Sequence, residues 1–320
     1  MSEPIPLVRH FPALADVPRV ALINAPTPVA PLTGISPSLW IKRDDLSADP
    51  LGGNKVRSLE FLLAHVRPGD RIVTVGSAGS THALAVATYG RRLGARALVG
   101  RWRQTMNPTA ALVSARVAQL AERAPVFRST AGAYAWAMLQ RMRGAHWIAA
   151  GGSTPLGVLG HVNAGLELVA QLDSGELPQP GYVVLPLGTG GTAAGLALAF
   201  AIARKEIVVV GARVVPRIVG RRGRVLRLAR ATARLIEHHT GERLPALGAA
   251  DVRVVHDAYG GAYGAETDEA RAAARRLEEA TGVRADMSYS AKGFQVALDM
   301  AAHAPTLFWL TFDPRTLTGP

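Results

Sequence analysis

The feature that most constrains the fold is the regular alternation of short apolar segments with longer segments of helical periodicity. Apolar runs of strand length lie at 39–43, 71–76, 181–188 and 206–212, and a helix-type pattern follows each of them. Alternation of this kind predicts an α/β fold with parallel sheets that helices cover on both faces. Ligands of such folds bind beyond the carboxyl ends of the strands, so the strand-to-helix junctions are where a site is expected.

Length and residue usage limit the classes of protein to consider. The chain has 320 residues, which suggests one large domain or two of ordinary size, and the segment AAGGSTPLG at 149–157 is a plausible crossing between two domains. Cysteine is absent, so disulfides, a thiolate nucleophile and cysteine-ligated zinc are excluded, and no metal site is expected. The sequence shows neither a signal peptide nor a membrane-spanning run, which predicts a cytoplasmic protein without a membrane partner.

The formal charge of +12 raises the question of an anionic partner such as nucleic acid. Only four basic residues are lysines, namely Lys42, Lys55, Lys205 and Lys292, and a general preference for arginine accounts for the imbalance. The densest basic stretch, 217–235, is interpreted as a solvated helix face, and it lacks the interleaved aromatic residues typical of single-strand binding. A basic nucleic-acid-binding protein is therefore kept only as an alternative.

Lys55 is the first candidate catalytic residue. It stands in LGGNKVR, at the start of a predicted helix over 54–66, where the helix dipole favours acidic groups over a lysine. Neighbouring N–H groups and partial burial would lower its pKa, and a neutral amine is what a Schiff base with an aldehyde requires. The alternative is an ordinary surface lysine beside a turn.

Two further strand-to-helix junctions suggest binding sites. The glycine-rich LPLGTGGTAAGL at 185–196 predicts close backbone approach to a phosphate at a helix N-terminus, although a plain tight turn would leave the same pattern. In GSAGSTHAL at 76–84, Ser80, Thr81 and His82 are candidates to hold a carboxylate or phenolic oxygen, unless Ser80 is simply a helix N-cap. Weaker candidates lie in the segments SYSAKGFQ and YGGAYG and at the end of the last strand: Tyr289, Tyr263 and Thr311.

Taken together, these motifs resemble pyridoxal-phosphate enzymes of fold type II, the tryptophan synthase beta-like fold. The group that contains the D-cysteine desulfhydrases and 1-aminocyclopropane-1-carboxylate deaminases is the most similar. The resemblance covers most of the chain, from WIKRDDLSADPLGGNKVRSLEFLL through AAGGSTPLGVLGHVNAGLEL and GTGGTAAGL to TLFWLTF. It implies two open parallel-sheet domains, with a small domain at 60–160 inserted into a large one formed by 1–59 and 161–320. It also implies a homodimer that acts on a small amino acid.

The resemblance assigns the cofactor contacts by position. Lys55 matches the lysine that carries pyridoxal phosphate, a role that arginine cannot take because its guanidinium stays protonated. The phosphate loop is matched by five consecutive residues: Gly188, Thr189, Gly190, Gly191 and Thr192. Thr81 matches a residue beside the phenolic oxygen of the cofactor, and Ser290 and Thr311 lie where the family reaches the pyridine ring.

The resemblance also assigns the contacts to the substrate. Ser80 matches a serine near the substrate α-carbon, where it is a candidate catalytic proton donor or acceptor. The loop that His82 closes would take the substrate carboxylate through its amides. Tyr289 and Tyr263 match the two tyrosines that face the substrate, where they could move protons or orient the amino group.

Two departures from the family pattern bear on the reaction. Thr81 replaces a common asparagine, and Ser290 replaces the glutamate that follows Tyr289 in the deaminases. A hydroxyl at the ring nitrogen gives a weaker electron sink than a carboxylate, which suits eliminations with a good leaving group better than cyclopropane opening. D-Cysteine going to pyruvate, sulfide and ammonia is therefore the expected reaction. Replacement at the β-carbon, racemisation or deamination of another amino acid remain alternatives, as does a degenerate binding protein that kept the fold.

Overall fold

The structure is a computed structural model that describes residues 3–317, with the side chain of residue 316 left out of the description. Its α-helices are α1 Pro6–His10, α2 Asn54–Leu62, α3 Thr81–Arg92, α4 Pro108–Leu120, α5 Thr130–Met142, α6 Pro155–Asp173, α7 Gly191–Ile202, α8 Arg222–Thr240, α9 Asp268–Thr281 and α10 Ser290–Ala301. Its strands are β1 Val29–Pro31, β2 Leu39–Arg43, β3 Arg71–Ser77, β4 Arg96–Trp102, β5 Val126–Phe127, β6 His146–Trp147, β7 Tyr182–Leu187, β8 Val208–Arg213, β9 Val252–Val255 and β10 Thr306–Leu310. Short 3-10 turns lie at Pro12–Asp16, Asp44–Leu46, Ala150–Gly152, Asp257–Tyr259 and Pro314–Leu317.

The strands form two separate sheets. One has six strands in the order β1-β2-β10-β7-β8-β9, and the other has four in the order β5-β4-β3-β6. Every pairing is parallel except that of β1 with β2. The predicted α/β class with two parallel sheets is confirmed. The four-stranded sheet lies wholly between residues 71 and 147, while the exact domain boundaries stay a prediction.

The basic stretch that begins at Arg217 is not helical throughout. Residues 216–220 form a turn, and α8 begins only at Arg222, so the prediction of one helical face from 217 onwards is wrong at its start. The glycines at 220 and 223 and the proline at 216 favour a turn there over a helix. From Arg222 onwards the arginines of α8 are exposed, as a solvated helix face requires. The turn matters because it contributes to the cavity described below.

A buried ionic cluster ties the start of α2 to the six-stranded sheet. Glu167 of α6 accepts hydrogen bonds from Lys42 at 2.7 Å and from Arg57 at 3.0 Å, and Arg57 also pairs with Asp44. Burial would raise the pKa of Glu167, but the two cations outweigh it and hold that pKa at about 2. Because removal of one partner from a buried pair leaves an uncompensated charge, the cluster fixes α2 and α6 firmly against each other.

Close backbone packing reinforces this contact. The α-carbon of Gly160 on α6 lies against the backbone of Arg57, so that a Cβ there would meet the Arg57 carbonyl oxygen at 1.9 Å. Lys55 stands two residues before Arg57 and is therefore held on a rigid element. Within residues 3–317, no helix combines the length and apolar character needed to cross a bilayer.

Candidate active site

The junctions singled out in the sequence meet at one place between the two sheets. A cavity of about 540 Å³ is lined by Lys55, by residues of the β3–α3 and β7–α7 loops, and by Tyr263 and Tyr289. A narrower pocket adjoins it, formed by residues 185–193 together with Asn54, Lys55, Thr81, Asp286, Tyr289, Thr311 and Phe312. Both lie beyond the carboxyl ends of parallel strands, where α/β folds bind their ligands. All but one of the predicted site residues line one of these two spaces. The exception is Ser290.

The β7–α7 loop is a cradle of backbone donors. The N–H groups of residues 188–193 have no hydrogen-bond acceptor within the described part of the chain. Gly190 takes a left-handed conformation, with φ of +94°, and precedes α7 without a capping side chain. Unpaired N–H groups at the start of a twelve-residue helix attract an anion, because the helix dipole adds to their partial charges.

Side chains brace this loop from three directions. Thr189 and Ser153 share a hydrogen bond of 2.6 Å between their hydroxyl groups. Asn54 donates to the hydroxyl of Thr192 at 2.8 Å, which joins the loop to the residue just before Lys55. Arg224 of α8 donates to the carbonyl oxygen of Thr189 at 3.2 Å. These contacts could not be predicted from the sequence, because they join residues that are far apart in the chain and share no sequence motif.

Lys55 presents a free amine to the cavity. It is the second residue of α2, and no described residue of 3–317 hydrogen-bonds to its Nζ atom. Burial lowers the pKa of Lys55 to about 8, so a substantial fraction of the amine is neutral near physiological pH. The local chain is fixed tightly, because Gly53 adopts φ of +120° and a Cβ there would meet the Thr311 carbonyl oxygen at 2.5 Å. That carbonyl accepts the N–H of Asn54.

The β3–α3 loop offers a second set of backbone donors. Ser80 is the N-cap of α3, and its hydroxyl accepts the N–H of Ala83 at 3.3 Å. The capping alternative raised from the sequence therefore holds alongside a place on the cavity wall. The N–H groups of Thr81 and His82 have no acceptor among residues 3–317 and lie at the start of a twelve-residue helix.

His82 contributes its backbone to this loop rather than a charge. Its imidazole is buried, and Nε2 lies 3.1 Å from the hydroxyl of Thr74. Burial, and secondarily the charge of Lys55, lower the pKa of His82 to about 3. The ring is therefore neutral and does not repel the lysine.

Tyr263 and Tyr289 form a hydroxyl pair in the cavity wall. Their hydroxyl groups hydrogen-bond to each other, and Ser77 donates to Tyr263 at 3.3 Å. Burial raises the pKa of both phenols above the ordinary value, and that of Tyr289 well above it. Both hydroxyls keep their protons at neutral pH, so they are proton donors facing the same space as Lys55.

Ser290 lies beside the cavity rather than on its surface. It is fully buried, and its hydroxyl hydrogen-bonds to Asp286 at 2.6 Å, with the Phe312 carbonyl oxygen 3.1 Å away. Asp286 itself lines the narrow pocket, where the N–H groups of Ser288, Tyr289 and Ser290 also donate to it. Burial raises the pKa of Asp286, and these hydrogen bonds oppose the rise.

Asp286 was not among the site residues expected from the sequence. A capping aspartate four residues before a helical serine is the signal that could have indicated it. Thr311 lines the narrow pocket, and its role toward a cofactor stays a prediction.

The residues present fit pyridoxal phosphate. A cradle of unpaired N–H groups suits its phosphate, and a free amine of lowered pKa in the adjoining space suits its aldehyde. These two features belong to one continuous site, because Lys55, Gly188 and Thr189 line both the pocket and the cavity.

Comparison with known proteins agrees with this fit. Residues 20–307 match the family model described as pyridoxal-phosphate dependent enzyme. The chain is 34% identical to nocardicin C-9' epimerase from Nocardia uniformis subsp. tsuyamanensis, with 94% of each chain covered. It is 29% identical to D-cysteine desulfhydrase from Salmonella typhi, with 89% of each covered.

The similarity extends to solved structures. The crystal structure of a 1-aminocyclopropane-1-carboxylate deaminase homologue superposes with a TM-score of 0.80 at 27% identity, and the alignment covers 97% of this chain and 95% of the other. The predicted resemblance to the desulfhydrase and deaminase group is confirmed.

Proposed function

We propose that this chain, which belongs to the family of pyridoxal-phosphate dependent enzymes, catalyses α,β-elimination on an amino acid, with D-cysteine going to pyruvate, sulfide and ammonia as the favoured reaction. The bound cofactor supplies an electron sink for negative charge at the substrate α-carbon. The observation that carries the proposal is the amine of Lys55, free of hydrogen bonds and lowered in pKa to about 8, beside a cradle of unpaired N–H groups.

Each residue then has a task that its surroundings support. The neutral amine of Lys55 accepts the proton from the substrate α-carbon, and the N–H groups of Thr81 and His82 hold the substrate carboxylate. The carbon–sulfur bond breaks with its electron pair on sulfur, which takes a proton from the hydroxyl pair of Tyr263 and Tyr289 and leaves as hydrogen sulfide. Water hydrolyses the remaining unsaturated amino acid to pyruvate and ammonia.

The surroundings of Ser290 support elimination over cyclopropane opening. Its hydroxyl is engaged by Asp286 and the Phe312 carbonyl, and no carboxylate stands at its position in the sequence. A good leaving group such as thiolate needs less stabilisation of the α-carbon charge than a strained carbon–carbon bond does. The chain is accordingly proposed as a lyase rather than a cyclopropane deaminase.

Racemisation or epimerisation at the α-carbon is the second candidate. One cavity holds a base, Lys55, and a pair of protonated phenols, Tyr263 and Tyr289, which is the equipment for removing and returning a proton. The 34% identity to an enzyme named as an epimerase supports the same candidate.

The visible absorption spectrum of the purified protein during addition of D-cysteine tests the proposal. A cofactor band that shifts while sulfide and pyruvate accumulate is the expected result. A shifted band without sulfide, accompanied by uptake of solvent deuterium at the α-carbon, would replace elimination by the second candidate. A band that no amino acid perturbs would overturn both.

A further inference from the structure

The part of the cavity that faces away from the phosphate loop is built for more than a three-carbon amino acid. The whole cavity, which also borders Lys55 and residues 188–189 where the cofactor is proposed to bind, has a volume of about 540 Å³, and cavities of roughly 300 to 1,000 Å³ enclose drug-sized ligands. We propose that the preferred substrate is an amino acid with an extended aromatic side chain that ends in an anionic group. In this assignment Trp102 and Tyr134 contact the ring, and Arg224 binds the anion. The inference rests on the proposed α,β-elimination at the same site, and it replaces D-cysteine, which the family resemblance alone favours, with a larger amino acid as the preferred substrate.

One wall of this side-chain chamber is aromatic. Trp102 ends β4 and Tyr134 lies in α5, and their rings stack at 6.3 Å between centroids with 19° between planes. Trp147 packs behind Tyr134 at 6.2 Å, which holds that ring in place. Tyr134 is nevertheless 38% exposed and lines the cavity, so part of its aromatic surface is available to a ligand there.

The opposite wall is apolar and belongs to the turn before α8. Val215, Pro216 and Val219 line the chamber there, between the end of β8 and the start of α8. A cysteine side chain ends at the atom next to the β-carbon, so it would leave both walls in contact with water. A planar ring on the substrate would cover them, and the burial of that apolar area favours its binding.

The exposed Arg224 of α8 also lines this chamber. Arg224 donates through Nε to the Thr189 carbonyl oxygen, and no described carboxylate pairs with its guanidinium. It lies close enough to Tyr134 to act on that phenol: burial raises the pKa of Tyr134, and Arg224 opposes the rise. Arg103 lines the same chamber, also without an acidic partner among residues 3–317.

Two arginines without acidic partners at the rim of an aromatic chamber suit a carboxylate or phosphate at the far end of the substrate side chain. The phosphate of the cofactor is the competing anion, since Arg224 touches Thr189. However, Arg224 lines the large cavity and not the narrow pocket around the N–H cradle.

Three compounds test whether Arg224 binds the substrate anion or the cofactor phosphate. They are two thioethers, S-(4-carboxybenzyl)-D-cysteine and S-(4-methylbenzyl)-D-cysteine, and the parent thiol D-cysteine. In each case the α-proton goes to Lys55, the bond from the β-carbon to sulfur breaks with its electrons on sulfur, and the thiol or sulfide leaves with a proton. The released thiol and pyruvate give kcat/KM, and displacement of the cofactor band gives a dissociation constant even where turnover is absent.

We expect the carboxylated thioether to have the highest kcat/KM and to exceed its methyl analogue roughly ten- to a hundredfold, as a charge-assisted contact should. Replacement Arg224→Gln should bring that ratio close to one. Arg227→Gln, on the exposed face of the same helix and outside the cavity lining, should leave the ratio unchanged.

The outcomes are distinguishable. Equal constants for all three compounds in the native protein would overturn the inference and leave the elimination proposal intact. A cofactor dissociation constant that rises in Arg224→Gln, with the substrate ratio preserved, would assign Arg224 to the cofactor and likewise overturn it. Tight, selective binding of the carboxylated compound without any thiol release would support the inference and contradict elimination.

Discussion

The two ends of the site are made of different parts of the chain. At the end proposed for the phosphate the backbone offers the donors, because the N–H groups of residues 188–193 have no acceptor among the described residues and glycine at 190 allows the chain to take this shape. At the end proposed for the substrate side chain, the cavity is lined by Trp102, Tyr134 and Arg224, which lie on three separate elements. A backbone surface suits a ligand that never changes, whereas side chains can be replaced one at a time to suit a different substrate.

The two ends also differ in how they are supported. Hydrogen bonds of Asn54 fix the start of α2 to Thr311, just after β10, and to Thr192 at the β7–α7 junction, and the buried ionic cluster holds α2 against α6. The side-chain end has aromatic packing and one backbone contact of an exposed arginine. We therefore expect substitutions at the first end to affect every substrate, and those at the second end to select among substrates.

The largest effect is expected from Lys55→Arg. The guanidinium keeps the positive charge but cannot lose a proton at neutral pH, so covalent attachment of the cofactor and acceptance of the α-proton both fail. The visible band of the attached cofactor should disappear, and turnover should fall by roughly 10² to 10⁴-fold or more. Absorbance and steady-state kinetics measure the two effects.

Lys292 supplies an internal control for the same experiment. Burial, with a smaller contribution from Arg213, lowers its pKa to about 8 as well, but its amine donates to the Tyr259 carbonyl oxygen at 2.7 Å and lies off the cavity. Borohydride reduction of the native protein followed by peptide mapping should label Lys55 alone. A label on Lys292 would show that lowered pKa, and not placement, selects the lysine.

A glycine substitution tests the backbone end next. Gly190→Ala puts a side chain at φ of +94°, with its Cβ 3.1 Å from Val225, at a strain of about 1 to 3 kcal/mol. Relaxation would move the donor N–H groups. Cofactor affinity should therefore fall by about 5- to 150-fold, since about 1.4 kcal/mol corresponds to a tenfold change in a binding constant. Titration of the cofactor-free protein with pyridoxal phosphate measures this.

Gly241→Ala is the matched control. Gly241 ends α8 at φ of +73° with open space around it, so it carries similar strain far from the site. It should lower the melting temperature without changing cofactor affinity. Unchanged affinity in both variants would mean that the backbone of residues 188–193 does not hold the phosphate.

The difference between backbone contacts at one end of the site and side-chain contacts at the other also explains how much of the site could be predicted from the sequence. Glycine-rich turns, helix starts and an isolated lysine leave local patterns, so Lys55, Gly188–Thr192 and the β3–α3 loop could be found without coordinates. Arg224 stands within a run of arginines that are otherwise solvated, and Tyr134 stands in an ordinary alanine-rich helix. Their convergence depends on how two sheets face each other, which no local spacing encodes.

The order of the strands within each sheet could not be predicted from the sequence for the same reason. β10, the last strand, lies between β2 and β7, and this places Thr311 beside Asn54 across more than two-thirds of the chain. The alternation of strands and helices predicted parallel sheets, but it does not determine which strands are neighbours. The buried ionic cluster likewise joins residues of β2, α2 and α6 that no motif connects.

The pH dependence of cofactor capture tests the amine at the backbone end. Because burial lowers the pKa of Lys55 from its ordinary value to about 8, half of the amine is neutral at that pH. The rate at which cofactor-free protein attaches pyridoxal phosphate should rise with pH up to about 8 and then level off. Below it, the rate should fall about tenfold per pH unit as the amine is protonated. Stopped-flow absorbance measures the rate, and a midpoint near 10 would contradict the burial of the amine.

The smallest effect is expected at the side-chain end, from Tyr134→Leu. The leucine fills part of the same volume but loses the stacked ring, and an aromatic pair contributes about 0.5 to 1.5 kcal/mol beyond burial. Binding of S-(4-methylbenzyl)-D-cysteine should weaken about two- to twelvefold by the same conversion, while D-cysteine and the cofactor bind as before. Tyr134→Phe keeps the ring and should bind the thioether almost like the native protein. If Tyr134→Leu instead weakens all three ligands alike, the two ends of the site are not independent, and the aromatic wall supports the whole cavity rather than selecting its substrate.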